Sequence, residues 1–515
     1  MTWNAWLPAL TLLSSLVPGL FIFGLGEERI RSRTALNMVG ATLKVGLVSW
    51  IARGLLHGES YATRWSLGPG MELLLRADNL SVLFALLSAI LWFVSTVYAI
   101  GYLEGSPNRS RFFGFYSVCV SSTVGVAFAG NLFTFFLFYE VLALSTYPLV
   151  VHRGTRAARR AGRIYLAYTL VGSAVLLAGI LWLRALVGPV TFRPGGVLPA
   201  AAFEHGPELL AIFLLLVAGM GVKAVLVPLH GWLPVAMIAP APVSALLHAV
   251  AVVKAGAFGL VRLVHDVFGA SGIIEIGAFR VLPAIAAVTI LWGSIRALSQ
   301  TSLKRLLAYS TVSQLSYVAL GTSLLGATAA IGGLAHLVHQ GLMKITLFFC
   351  AGNLAETLGI HDLDEMDGVG RRMPWTMTAF TACALGMIGV PPMAGFASKW
   401  TLALGGVEVG EPWVVAVLVA SALLNAAYFL PVLHRVWFRP PVRIPYERRG
   451  EEEGEGHIPP AVGHRILFGR RLETSWLLVL PALTTAILAL GAGLFANAPF
   501  SPLAWARFVL AGGGP

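Results

Sequence analysis

Eight ionisable residues stand inside long apolar runs of this chain: Glu140, Lys223, His248, Lys254, His336, His339, Lys344 and Lys399. A lysine at the centre of a bilayer-spanning helix costs roughly 3 kcal/mol on insertion scales, so its default reading is functional. Lys223 and Lys254 flank a stretch broken by Pro228, Pro234, Pro240 and Pro242 and containing His230 and His248. Irregular backbone at membrane depth survives only where protein packs it or a wet cavity lines it. Two amines flanking such a break point to a proton or cation path at mid-membrane depth.

Glu140, in LFTFFLFYEVLALSTYPLV, is the carboxylate set deep within the first eight apolar runs, and Lys223 is its natural partner. Opposite charges within about 4–6 Å favour both ionised forms, and desolvation favours neither. A small movement of one against the other would load or release a proton. The plainer alternative is a static ion pair joining two helices. His248 and Lys254 are six residues apart, which on an unbroken helix is about 120° of rotation and ~9 Å of rise. They would face different neighbours, as a relay requires. His336, His339 and Lys344 share the run GLAHLVHQGLMKITLFFCAGNLAE, with the two histidines on one face. A histidine titrates near neutral pH, which suits a proton way-station or an anchor for ordered water. Lys399 follows a second proline break in MIGVPPMAGFASKWTLAL, with Glu408 and Glu411 beyond it.

The elements that must position these residues are apolar helices. The chain has 515 residues, 57% of them hydrophobic and 12% charged, with a mean hydropathy of +0.78. That composition describes an all-α polytopic membrane protein, with residues 1–515 forming a single membrane domain. Fourteen spans are expected: 3–25, 35–56, 78–103, 111–129, 131–151, 161–187, 208–228, 243–268, 273–295, 305–326, 328–356, 374–404, 412–437 and 475–496. The first has no basic segment before it and reads as a retained helix. Cys119, Cys350 and Cys383 are never at metal-ligand spacing, so no zinc or iron–sulfur site and no cofactor is expected.

Odd-numbered loops between these spans carry twenty-three Arg and Lys residues, and even-numbered loops with the tail carry six. Excess basic residues mark cytoplasmic loops, which puts both termini on the outer side. The formal charge of +12 is therefore a topology signal, and nucleic acid is not an expected partner. Residues 439–473 read as a charged cytoplasmic loop, and 188–207 as a Gly/Pro-rich outer loop. Among basic residues within spans, Arg262 and Arg280 sit toward span ends and are expected to snorkel to the interface. Lys44 lies mid-span with no evident partner, or at the interface if the boundary is displaced.

Glu140 in FYEVLAL, Lys223 with HGWLP, APVSALLHAVAVVKAG, HLVHQGLMK and GVPPMAGFASKW together resemble one family over nearly the whole chain. It is the antiporter-like family shared by complex I (subunits L, M and N), the Mrp sodium/proton antiporters and membrane-bound group-four hydrogenases. The resemblance implies two inverted five-helix repeats with discontinuous helices in each, here 111–268 and 273–437. It also implies a hydrated axis of Lys and His. Glu140 would be the gate and Lys223 its partner, with His248 and Lys254 connecting. Lys344 with His336 or His339 would serve the second half, and Lys399 the exit. Lys254 together with Lys399 is most similar to the D-type subunit of the Mrp antiporters. Where subunit L of complex I has a histidine four residues before the lysine, this chain has Gln340.

The expected function is proton translocation, with sodium as an alternative cation, by a membrane subunit of a larger complex driven by its partner subunits. The chain is not expected to be an enzyme alone, but a translocating subunit of a complex akin to NADH-quinone oxidoreductase or hydrogenase. An Mrp-type antiporter or an inorganic-carbon uptake assembly is the alternative within the fold, and a passive membrane scaffold the alternative outside it. The location implied is a bacterial inner membrane.

Overall fold

A computed structural model describes residues 3–68, 71–441, 466–468 and 471–511. Most of the expected charged loop at 439–473 lies outside the described residues. In chain order the helices are α1 (Leu7–Phe23), α2 (Ile30–Leu56), α3 (Asn79–Tyr102), α4 (Arg109–Phe128), α5 (Leu132–Val150) and α6 (Arg156–Val187). Next come α7 (Gly206–Lys223), α8 (Trp232–Val235), α9 (Ala241–Ala249), α10 (Val252–Arg262), α11 (Gly269–Glu275) and α12 (Val281–Leu298). The chain continues with α13 (Leu303–Ser323), α14 (Ala327–Leu358), α15 (Val369–Arg372), α16 (Pro374–Ile388), α17 (Ala394–Glu408) and α18 (Trp413–Phe438). The last two are α19 (Trp476–Leu494) and α20 (Pro502–Leu510).

Among the described residues, eleven helical segments are long and apolar enough to cross a membrane. The difference from fourteen has identifiable sources. Helix α1 has 17 residues. Helix α13 carries a polar face of Ser, Thr and Gln. The run 374–404 is split into α16 and α17, 15 residues each.

The packing order is legible from burial. The segments Ala241–Glu275 and Ala327–Leu358 are buried along their most apolar stretches, whereas only a third of those in Arg156–Val187 and Trp413–Phe438 is buried. The exposed sides of these outer helices carry Val171, Leu181, Val419 and Leu423, which only hydrocarbon covers without cost. Five of the eight candidate residues therefore ride on the two most enclosed segments.

The connection between the second and third expected spans is ordered. Tyr61–Gly68 (β1) and Met71–Ala77 (β2) form an antiparallel hairpin, with Thr63 opposite Leu75. The hairpin leads directly into Asp78, which caps α3. The Asp78 side chain accepts from the Ser81 nitrogen at 2.8 Å, and Ser81 Oγ accepts from the Asp78 nitrogen at 2.7 Å.

Three breaks interrupt the central helices. Helix α7 ends at Lys223, and the chain passes through Val225 at φ +54° before α8. Trp232 Nε1 donates to the Val222 carbonyl at 2.8 Å, which holds this turn against its own helix end. Gly256 permits the turn to pack on α10, because a Cβ there would collide with the Ala224 nitrogen and the Lys223 carbonyl carbon. The second break separates α16 from α17 at Gly389, φ +102°. The third, at Val250–Ala251, has no proline to announce it.

Candidate functional site

Lys223 is the last helical residue of α7, not a mid-helix residue, because the helix stops before Pro228. Its Nζ lies 3.8 Å from Glu140 Oε1 on α5, and the two side chains are 1% and 18% exposed. That spacing is longer than a charge-assisted hydrogen bond, near 2.7–2.9 Å. The amine instead donates to the Tyr139 carbonyl at 2.5 Å and sits 3.2 Å from the centroid of the Tyr139 ring. Ser173 on α6 donates to Glu140. The hydroxyl and the Lys223 amine thus both approach the same carboxylate oxygen, Oε1.

His248 and Lys344 converge on one turn of α13. His248 Nδ1 is 2.8 Å from Thr311 Oγ1, which donates to the Leu307 carbonyl at 2.9 Å. Lys344 Nζ donates to that same carbonyl at 3.1 Å and also to Ser310. A polar chain therefore runs from α9 through α13 to α14. Lys254 takes a separate route. It donates to the Leu337 carbonyl at 2.5 Å and to Gln340, one turn before Lys344 on α14. The ideal-helix separation of His248 from Lys254 does not hold, because the break at Val250–Ala251 lies between them. The two residues do address different neighbours.

On α14, His336 Nδ1 is 2.9 Å from Ser398 Oγ, and its ring stacks on Tyr317 at 4.9 Å. Lys399 lies 5.2 Å from the Tyr317 ring centroid. Its Nζ donates to Met387 and Ile388 carbonyls at 2.6 and 3.2 Å. These belong to the final turn of α16, where carbonyls lack helical partners and the helix dipole is negative. His339 is buried, faces the Ala394 backbone at the start of α17 and has no side-chain partner among the described residues. Of the two histidines, His336 is the one coupled to Lys399 through Tyr317 and Ser398.

His339 apart, the buried amines and imidazoles on α7, α9, α10, α14 and α17 are thus each held by hydroxyls, an amide or backbone carbonyls of neighbouring helices. A family model described as "NADH:quinone oxidoreductase/Mrp antiporter, TM" matches residues 129–425, which hold all eight of these residues. The chain belongs to this family. A second, described as the N-terminus of chain 5 of complex I, matches residues 70–113. NADH-quinone oxidoreductase subunit N of Desulforudis audaxviator (strain MP104C) is 36% identical over 78% of this chain and 79% of its own length. Hydrogenase-4 component B of Escherichia coli (strain K12) is 32% identical over 78% of this chain, which spans 60% of that protein. The D-type component of a Na(+)/H(+) antiporter from Bacillus subtilis (strain 168) is 28% identical over 71% of this chain and 73% of its own. In fold, the chain matches a component of the Mrp complex from Dietzia sp. DQ12-45-1b with a TM-score of 0.82 at 20% identity, covering 99% and 98% of the two chains. A chain of respiratory complex I from Thermus thermophilus gives 0.77 at 25% identity, covering 99% and 100%.

Several ionisable groups of this antiporter-like protein depart from the sequence expectation. Arg262 does not snorkel. It is 2% exposed and clamps Asp78 through two 2.8 Å hydrogen bonds, with Asp266 at 2.5 Å. Burial pushes the Asp78 carboxyl up, but the Arg262 guanidinium overrides this and holds it below the ordinary value of 3.8. Arg280 is exposed and lies over the Phe279 ring. Lys44 is fully buried, not interfacial. Its Nζ meets Ser15 Oγ at 2.5 Å and lies 5.0 Å from the Trp92 ring centroid. Ser173, Thr311 and Gln340 join the axis only through packing. Of these, Gln340 alone carries a sequence signal, as the residue standing where subunit L of complex I has histidine.

Proposed function

We propose that this subunit translocates protons along Glu140, Lys223, His248, Lys254, Lys344, His336 and Lys399, with His339 beside the last step. The observation that carries the reading is the Glu140–Lys223 pair, an amine and a carboxylate 3.8 Å apart in an enclosed site. At an effective dielectric near 20 their attraction is about 4 kcal/mol, and doubling the separation removes about half of it. A loss of about 2 kcal/mol changes proton affinity roughly thirtyfold. A displacement of α5 against α7 by a few ångströms is then enough to hand a proton onward.

In this reading the chain crosses the membrane fourteen times, with both termini outside, in a bacterial inner membrane. Residues 111–268 and 273–437 are inverted halves meeting at α13 and α14. Partner membrane subunits supply the driving force, as expected of a family whose named members include quinone oxidoreductase, hydrogenase and antiporter subunits. The test is Lys223→Ala and Glu140→Ala in the assembled complex, with proton and sodium flux followed separately in vesicles. Undiminished flux with normal assembly refutes the reading. Loss of assembly with flux per complex intact indicates a scaffold, and sodium-dependent flux alone indicates a cation antiporter.

A further inference from the structure

A cavity of about 490 Å³ lies away from the lysine axis, where the N-terminal ends of α6 and α13 meet the far end of α14. Arg153 and Arg160 stand on one wall, Lys304 and Arg305 on another, with His361 and Ser302 beside them. No carboxylate lines it, and among the described residues none approaches any of these four cations within 4.0 Å. Lys304 donates to the Ala239 carbonyl at 3.1 Å, which satisfies one of its three N–H groups. The contrast with Arg262 is instructive. There a buried guanidinium is matched by Asp78 and Asp266, while here three exposed arginines and the half-buried Lys304 share an open hollow, with Glu356 acting on Lys304 from outside its lining.

Two further observations point to an anion as the missing component. Helix α13 is 21 residues long and starts at this cavity, and its N-cap Ser302 side chain makes no capping bond. The Leu303 N–H donates to the His361 carbonyl at 3.1 Å, and the other N–H groups of the first turn leave the helix end's partial positive charge beside the cavity. His361, in the loop after α14, is held below its ordinary value, first by burial and then by the charges of Lys304 and Arg153, which outweigh the opposing carboxylates of Glu365 and Asp362 outside the cavity lining. A single small ion would leave most of the volume empty, and cavities of this size suit an organic ligand. Ile164, Val235 and Ile238 give it an apolar side against which a carbon skeleton can rest.

We propose that this cavity binds a phosphate group carried on an organic body, either the headgroup of an anionic phospholipid or a small soluble phosphate ester. Arginine forks match phosphate oxygens in pairs, and Lys304 supplies a point charge. The site is separate from the translocation residues, so it stands or falls independently of the proposed function.

The experiment uses the purified, delipidated complex containing this chain. Retention of labelled phosphatidylglycerol is measured against phosphatidylcholine of the same acyl chains, with inorganic phosphate and glycerol 3-phosphate as competitors. The expected result is preferential retention of phosphatidylglycerol, reduced about tenfold by Arg160→Gln with Arg305→Gln. Arg159→Gln, on the same helix but outside the cavity, leaves it unchanged. Displacement by glycerol 3-phosphate assigns the site to soluble esters, and its failure to compete assigns it to lipid. If the double variant does not assemble, each single variant is read in the same way with a smaller expected loss. Equal retention by parent and variants, an equal loss in Arg159→Gln, or cross-linking of the cavity to an acidic segment of a partner subunit would overturn the proposal.

Discussion

Lys223 and Lys399 occupy similar seats with one difference. Each amine donates to a backbone carbonyl at 2.5–2.6 Å, each lies near a tyrosine ring (Tyr139 or Tyr317), and each belongs to a helix interrupted by a break. Lys223 has Glu140 at 3.8 Å, because Tyr139 is followed by a glutamate. Tyr317 is followed by Val318, and among the described residues Lys399 has no carboxylate within 4.0 Å, its amine donating to the last carbonyls of α16. Arg262 completes the series with two carboxylates. The number of acid partners separates the roles. On the proposed function, two acids fix Arg262 in place, one acid gives Lys223 a partner it can leave, and Lys399 is held by helix-end carbonyls.

The series can be broken at its strong end first. Arg262→Ala leaves Asp266 buried without a cation and Asp78 with only Arg76 at 3.8 Å. Loss of one partner from such a cluster costs about 3 kcal/mol after allowing for the partial exposure of Asp78, read as a lower thermal midpoint of the complex. A midpoint unchanged from the parent would remove Arg262 from the structural class. Next in size, Lys223→Met is expected to reduce flux about tenfold or more, with assembly retained. Lys399→Met tests whether the seat without an acid is equally necessary, and a silent Lys399→Met would end the parallel. Glu140→Gln keeps the shape and removes the charge, so flux should fall about tenfold, whereas Ser173→Ala should cost only a few-fold.

Smaller effects sharpen the second seat. Gly389 has φ +102°, and an added Cβ would come within 3.2 Å of Lys399 Cδ. Gly389→Ala should therefore destabilise by about 1–2 kcal/mol and lower flux by displacing the amine from the α16 carbonyls. The smallest expected effect is in pH. Asp78 has a lowered value in the folded state, so its contribution to stability is complete above its ordinary value of 3.8 and drains away as pH falls through the lowered one. Thermal midpoints measured down through this acid range should drop more steeply in the parent than in Asp78→Asn.

Much of the scaffold is legible in the sequence because hydropathy is a local property. The expected spans mostly agree with the observed helices to within a few residues, and the breaks at Pro228 and Pro391-Pro392 follow from proline alone. The break at Val250–Ala251 does not, since HAVAVVKAG contains no breaker between His248 and Lys254. The hairpin at Tyr61–Ala77 does carry a sequence signal, in the Gly-Pro-Gly at 68–70 between two runs of mixed apolar and polar residues. The expectation for Arg262 fails because its partner Asp78 is 184 residues away, and distance from a span end says nothing of that.

By itself, the sequence determined that amines and imidazoles would be enclosed in hydrocarbon, because each run's transfer energy depends only on its own residues. It also offered Glu140 as a candidate partner for Lys223, although their 3.8 Å approach is itself a tertiary contact. Which groups receive each charge was decided only by tertiary packing. Gln340 beneath Lys254 is 86 residues away in the chain and the Leu307 carbonyl is 37 from Lys344, while the α16 helix end, only 12 residues before Lys399, is brought beneath it by the break at Gly389. A buried cation takes whatever oxygen the neighbouring helix presents, and the depth and rotation of that helix are set by how all the others pack.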